Sequence, residues 1–293
     1  MKKRRLGSSN LFVSEISFGC MSLDVKSEES EKIIHQAFEA GINFFDTADL
    51  YDKGENEKML GLALKPIRDH VIIATKVGNQ LQEDGSGWDW NPTKAYIIKA
   101  VENSLLRLQT DYIDLYQLHG GTINDPIDET IEAFELLKQQ GKIRAYGISS
   151  IRPDVIREWI KRSNMASVMM QYSLLDRRPE EESFDLLAHN NISVITRGTL
   201  AKGLLVDKEA KDYLGYSKSE VQQLQTELQS KKYPISAPVQ FVLKQSVVSS
   251  AILGFRTSKQ LQTILESQNE QKEILNFDAL RSVLKPIFYK KHS

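Results

Sequence analysis

One cysteine, Cys20, occurs in 293 residues. That excludes an internal disulfide and any multi-cysteine metal site. Long hydrophobic runs are also missing, since none approaches the ~18 apolar residues of a membrane-spanning helix. Charge of one sign is not in excess: 38 basic and 39 acidic residues leave a formal net charge of −1. Without a basic field there is no electrostatic case for nucleic acid. No low-complexity or Gly/Ser-rich linker divides the sequence, so residues 1–293 are read as one domain. The first twenty residues, MKKRRLGSSNLFVSEISFGC, are basic at the start but lack a continuous apolar segment and a small-residue cleavage site. A secretory signal is therefore not expected, and the cytoplasm is the expected compartment. Two motifs are absent as well. There is no GxGxxG after the first strand, the usual mark of an open doubly wound sheet. There is no HxH or carboxylate cluster with metal-ligand spacing, so no metal is expected and a metal-dependent hydrolase finds no support.

What is present is an alternation. Strand-like runs occur at 15–19, 42–46, 71–75, 112–117, 143–148, 167–172, 192–196 and 250–254. Helical patterns fall at 28–40, 55–65, 93–108, 127–140, 153–162, 180–189, 236–245 and 258–266. Ser27 and Thr93 stand where helix caps are wanted. Residues Ile97, Ile98, Val101, Leu105 and Leu108 recur at helical spacing. Strand then helix, eight times over, predicts an α/β fold of the (β/α)8 TIM-barrel type. Two segments stand outside this repeat. RLGSSNLFV reads as a hairpin around Ser8-Ser9-Asn10 that plugs the barrel's N-terminal face. Residues 205–235 read as a long insertion in the loop after the seventh strand, with a helical stretch at 218–231 that is polar nearly all round. The run YKKHS at 289–293 reads as a frayed basic tail.

Three of the strand-like runs carry chemically useful side chains at or just past the C-terminal end, four in all: Asp46 and Tyr51 in INFFDTADLY, Lys76 in VIIATKVG, and His119 in YIDLYQLHGG. In a barrel these ends converge. A tyrosine ionises near ~10, and a neighbouring ammonium favours its phenolate. Lys76, held charged by Asp46, can so tune Tyr51 as a general acid toward a substrate oxygen that gains negative charge. His119 can donate to the same oxygen. A carbonyl that receives a proton on oxygen also needs a hydride on carbon. No side chain supplies one, so a nicotinamide or flavin is implied. Trp88 and Trp90, in the Gly-rich loop GSGWDWNP after the third strand, are candidate walls of an apolar substrate pocket. Trp159 is expected in the core, and Cys20 is expected to be a small buried residue rather than a nucleophile.

The sequence resembles the aldo-keto reductases from about residue 5 to about residue 270. The resemblance rests on RLGSSNLFVSEISFGCM, FFDTADLY, ATKVG, DYIDLYQLHG, GKIRAYGISS, QYSLLDR, RGTLAKGLL and AILGFRTSKQL, in that order. It implies a (β/α)8 barrel with NADPH/NADP extended across its C-terminal mouth and reduction of an aldehyde or ketone. Tyr51 is then the proton donor, tuned by Lys76 and Asp46, and His119 orients the carbonyl. Ser149, Ser150 and Gln171 fall where the family holds the nicotinamide carboxamide. Gly19, Cys20 and Met21 fall beside the nicotinamide ribose, and Arg197 under the ring. Gly198, Leu200, Lys202 and Gly203 belong to the loop over the pyrophosphate. Gly254, Arg256, Thr257 and Gln260 belong to the 2′-phosphate end, where a guanidinium fork suits a phosphate. This chain departs from the common pattern at four places. Ser150 replaces an Asn, Arg197 a stacking Tyr, and Gln260 a basic residue. Thr263-Ile264 replaces a Glu-Asn pair at the adenine. The resemblance also admits an alternative, a nucleotide-binding regulatory subunit with little turnover. The intact set Asp46, Tyr51, Lys76 and His119 speaks for turnover.

Overall fold

A computed structural model of the chain describes residues 1–269 and 275–289. Of the tail at 289–293, residues 290–293 lie outside the described residues. Strands β1 (Lys3–Arg5) and β2 (Phe12–Ser14) pair antiparallel, Lys3 opposite Ser14. In the turn between them the Ser9 hydroxyl donates to the Leu6 carbonyl at 2.6 Å and accepts from the Leu11 amide. This is the hairpin expected around Ser8-Ser9-Asn10.

Strands β3 (Ile16–Gly19), β4 (Phe44–Asp46) and β5 (Ile72–Val77) come next. A small antiparallel ribbon follows, β6 (Asn79–Leu81) with β7 (Trp88–Trp90). The remaining strands are β8 (Ile113–Leu118), β9 (Ile143–Ser149), β10 (Ser167–Gln171), β11 (Ser193–Arg197) and β12 (Val248–Leu253). All but the two hairpins form one closed parallel barrel in chain order, with β12 returning to pair with β3. The eight strands coincide with the eight apolar runs of the sequence.

The helices are α1 (Glu28–Glu39), α2 (Glu55–Leu64), α3 (Lys94–Leu108), α4 (Ile127–Gln139) and α5 (Pro153–Arg162). They continue with α6 (Ser183–His189), α7 (Lys218–Ser230), α8 (Ala237–Leu243), α9 (Ser258–Asn269) and α10 (Phe277–Val283). Ser27 caps α1 by accepting from the Glu29 amide, and Thr93 caps α3 by accepting from the Tyr96 amide. Each cap satisfies a donor that the helix itself leaves free. Three glutamates in the first turn of α1 add charge that its dipole favours. Trp159 is buried between α5 and its neighbours, as its spacing predicted.

Two packed layers result. One lies between strands and helices and includes Ile33, Leu60, Ile97, Phe134 and Trp159. The other lies inside the barrel, where Leu6, Leu11 and Val13 of the hairpin close over Phe44, Ile72, Leu115, Met169 and Ile195. Each fully buried side chain of this kind contributes about 1.5–3 kcal/mol. The plug is also pinned by polar contacts. The Gly7 amide donates to Ser193 Oγ at 2.7 Å, and Arg4 donates to the carbonyls of Val248 and Leu243.

The insertion after β11 differs from expectation in one respect. Helix α7 is not polar all round: Val221, Leu224, Gln225 and Leu228 are buried. Three of these keep helical spacing, and Gln225 fits among them because its Nε2 donates to the carbonyls of Leu204 and Lys208 at 2.6 and 2.9 Å. A satisfied glutamine can sit in an apolar stripe. One face of the insertion's helix is thus buried in the main hydrophobic core, while its other face stays exposed.

Candidate active site

Every barrel strand brings a predicted residue to one rim. Gly19, Asp46, Ser149, Gln171 and Arg197 are the last residues of β3, β4, β9, β10 and β11. Lys76 is next to last in β5, His119 follows β8, and Gly254 follows β12. Alternation along β5 turns Ile72, Ala74 and Lys76 toward the barrel axis. Two of these pack in the lower layer, and the third reaches the rim.

Lys76 is 1% exposed. Its Nζ donates to Asp46 Oδ2 at 2.8 Å, to the Thr47 carbonyl at 2.7 Å and to the Tyr51 hydroxyl at 3.5 Å. Burial pulls the Lys76 pKa down, but the Asp46 carboxylate and Tyr51 more than restore it, leaving it above the ordinary lysine value. Burial pushes the Asp46 carboxyl up, and Lys76 opposes that. The two act as one ion-paired unit. Tyr51 opens a short turn, Tyr51–Gly54, in which Asp52 (φ 47°), Lys53 (φ 55°) and Gly54 (φ 90°) are all left-handed. Such backbone in non-glycine residues is strained and is found where a side chain must be aimed. Lys53 Nζ donates across to the Gly85 carbonyl in the β6–β7 ribbon. The His119 ring meets the Tyr51 ring edge-on, with centroids 5.8 Å apart. Burial, with the charges of Lys76 and Arg197, pushes His119 down to about 3. It is a neutral imidazole near pH 7, able to donate from one nitrogen. This group can therefore protonate an oxygen placed between Tyr51 and His119.

Behind the tyrosine turn lies a cluster that sequence reasoning did not single out. Glu57 accepts from Thr75 Oγ1 at 2.5 Å and from Arg107 Nε at 2.6 Å. Asp49 is buried beside it, and burial together with the Glu57 charge raises Asp49 to about 8. The only signal in the sequence is the acidic spacing in TADLYDKGENE.

The predicted cofactor residues line the same mouth. Cys20 is buried, its thiol pushed up by burial, and its carbonyl accepts from Asn56 Nδ2. Met21 is exposed. Ser150 is buried and its Oγ accepts from the Arg152 amide. Arg197 Nη1 donates to Gln171 Oε1 at 3.1 Å, and Gln171 Nε2 donates to Tyr213 Oη at 3.1 Å. Tyr213 belongs to the insertion. Gly198 has φ 69°, and a Cβ there would stand 3.1 Å from Gln171 Cγ. Leu200 precedes a turn in which Ala201, Lys202 and Gly203 all have positive φ. Gly254 abuts Ser22 Oγ, which brings the loops after β12 and β3 together. At the start of α9 the Arg256 amide donates to Gln260 Oε1, and the Gln260 amide donates to Thr257 Oγ1. Gln260 thus has its amide oxygen engaged within its own turn. Ile264 is buried, facing the core.

The two tryptophans part company. Trp88 is exposed. Trp90 packs its ring where a Cβ on Gly78 (φ 121°) would stand and in contact range of Gly120, and its Nε1 donates to Asp125 Oδ1 at 3.0 Å. It ties the loop after β5 to the loop that carries His119.

Three comparisons bear on this arrangement. The model of the Aldo/keto reductase family matches residues 15–285. The chain is 48% identical to the uncharacterized oxidoreductase YqkF of Bacillus subtilis, covering 100% of this chain and 99% of that one. It is 32% identical to the NADH-specific methylglyoxal reductase of Escherichia coli, over 73% of this chain and 72% of that protein. Among solved structures it resembles the holo form of aldo-keto reductase AKR11C1 from Bacillus halodurans. There the TM-score is 0.95 and the identity 48%, with 100% and 99% of the two chains covered. The chain belongs to the aldo/keto reductase family of oxidoreductases.

Proposed function

We propose that this protein reduces an aldehyde or ketone to an alcohol with NADPH, using Tyr51 as the proton donor. One observation supports the reading above all others: a buried ammonium, Lys76, held by Asp46 and the Thr47 carbonyl within 3.5 Å of the Tyr51 hydroxyl. Lys76 stabilises the phenolate that Tyr51 becomes on giving up its proton. Neutral His119 donates to the substrate oxygen as charge develops there. Trp88, exposed on the ribbon beside the mouth, is a candidate contact for the rest of the substrate.

The residues fit a nicotinamide dinucleotide. Asp46 Oδ1 and His119 Nδ1 are buried with no partner among the described residues, as is Ser22 Oγ. Buried polar atoms of this kind are satisfied by a ligand or water. When bound, the nicotinamide supplies the hydride to the carbonyl carbon. Ser149, Ser150 and Gln171 would hold its carboxamide, Arg197 would lie against the ring, and Gly19, Cys20 and Met21 would flank the ribose. The turn containing Gly198, Leu200, Lys202 and Gly203 would cover the pyrophosphate. Arg256 and Thr257, with Gly254 and Gln260, would receive the 2′-phosphate.

The choice of NADPH rests on Arg256, exposed at the start of α9. Family membership alone leaves it open, because one relative is named as NADH-specific. Parallel titrations with NADPH and NADH, read by tryptophan quenching, test it. Binding of NADH at least ~10-fold weaker is expected, with the gap closing in Arg256→Ala, since ~1.4 kcal/mol is tenfold. Equal affinities in the parent would overturn the NADPH preference. Absence of binding by either would overturn the reductase reading.

A further inference from the structure

Gln171 is held from two sides, and one of them is the insertion. Arg197 carries only donors, so the amide must turn its oxygen toward the guanidinium. The NH2 group then faces Tyr213, whose phenol oxygen is forced to accept. The amide therefore has a single orientation consistent with both neighbours. The Tyr213 hydroxyl proton is left without an acceptor among the described residues, and is available to a bound molecule.

Tyr213 is itself fixed from behind. It begins the turn Tyr213-Leu214-Gly215-Tyr216, closed by reciprocal amide–carbonyl bonds of 3.0 Å between Tyr213 and Tyr216. Leu214 has φ 53°, a left-handed conformation retained only where the surroundings enforce it. The Tyr216 hydroxyl donates to the Lys285 carbonyl at 2.8 Å, and Gly215 lies against Ile287. A continuous chain of contacts thus runs from residues 285–287 through the turn to Gln171 and Arg197 at the rim.

We infer that Tyr213 is a positioning residue for the reaction: it locks the Gln171 amide in the orientation that receives the nicotinamide carboxamide and, through Gln171, holds Arg197 over the mouth. The inference rests on the cofactor reading given above. It assigns a role to the insertion and to the C-terminal segment that supports it. The hydrogen bond acts only while Gln171 has an amide. Tyr213 and Gln171 must therefore be energetically coupled, as independent structural residues are not.

A double-mutant cycle tests this on the full-length protein, with NADPH affinity and single-turnover aldehyde reduction as readouts. Tyr213→Phe is expected to weaken NADPH binding about 5-fold and to slow hydride transfer by a similar factor, the worth of one hydrogen bond. In a Gln171→Ala background the same substitution is expected to change both by less than ~2-fold. Equal losses in the two backgrounds would overturn the inference while leaving the cofactor reading intact. Failure of the parent to bind NADPH or NADH would overturn both. A second measurement needs no foldable Phe variant. In the 15N-labelled parent, one Gln171 side-chain proton, identified by its loss in Gln171→Ala, is expected to be protected from solvent exchange. Fast exchange of both protons would overturn the inference.

Discussion

The Lys76 ammonium stands 3.5 Å from the Tyr51 hydroxyl across 25 positions of sequence. Strand pairing makes this possible: β4 and β5 are neighbours, with Asp46 opposite Ala74. The tyrosine turn leaves β4 and the lysine rises from β5. Replacing Tyr51 by Phe keeps the ring that packs on His119 and removes the proton. Aldehyde reduction is expected to fall by about 10²–10⁴-fold, with NADPH affinity within about 2-fold of the parent. Steady-state turnover and fluorescence titration of the two proteins check this. Turnover near the parental rate would refute the assignment.

Lys76 is also a structural commitment. Removing one member of a buried ion pair leaves the other unpaired, at a typical cost of 3–5 kcal/mol. Lys76→Met is expected to destabilise the protein by about that amount in chemical denaturation. Adding Asp46→Asn should recover a substantial part of the loss, because the stranded charge is gone. A double variant as unstable as the sum of the two singles would contradict the pairing.

Asp49 gives the fold a pH dependence of definite sign. Its folded pKa, about 8, lies above the unfolded carboxylate value. Its contribution is therefore intact below about pH 4 and is lost as pH rises toward 8. Glu57 adds to the effect, while Arg107 and Lys76 oppose it. Asp49→Asn does not titrate. The stability difference between variant and parent should shift in favour of Asn by roughly 1–3 kcal/mol between pH 5 and pH 7. Denaturant melts at the two pH values measure it, and a pH-independent difference would count against a raised Asp49.

Gly78 permits the approach of Trp90 to the barrel rim. A Cβ there would meet the indole at 2.7 Å, and the residue has φ 121°. Gly78→Ala is expected to cost about 1–3 kcal/mol and to expose the indole. A red shift of tryptophan emission and a lower denaturation midpoint are the corresponding signals. An unshifted spectrum at parental stability would mean that the ribbon adapts freely.

Much of this architecture is legible in the chain because barrel strands are buried on both faces. They read as short apolar runs, and the residue that ends each run is placed at the rim by topology alone. Asp46, Lys76 and His119 are found this way. The β6–β7 ribbon is not, because NQL and WDW are three-residue strands whose pairing depends on packing rather than on pattern. The buried stripe of α7 was hidden by Gln225, which looks solvated until its two carbonyl partners are known. The partnership of Tyr213 with Gln171 spans 42 positions between an insertion and a barrel strand, and no local signal announces it. The Asp125 partner of Trp90 is equally silent in sequence.

The hairpin that corks the barrel also sets an order of events. Its contacts join residues 3–14 to Ser193, Leu243 and Val248, up to 244 positions away. Loops of that length close late. During synthesis the segment emerges ahead of the barrel strands, yet the floor it seats in does not exist until β12 has met β3. Leu6, Leu11 and Val13 must therefore wait, unburied, through nearly the whole of translation. A chain halted before residue 243 has no place for them, and so presents three adjacent apolar side chains as the mark of an unfinished molecule.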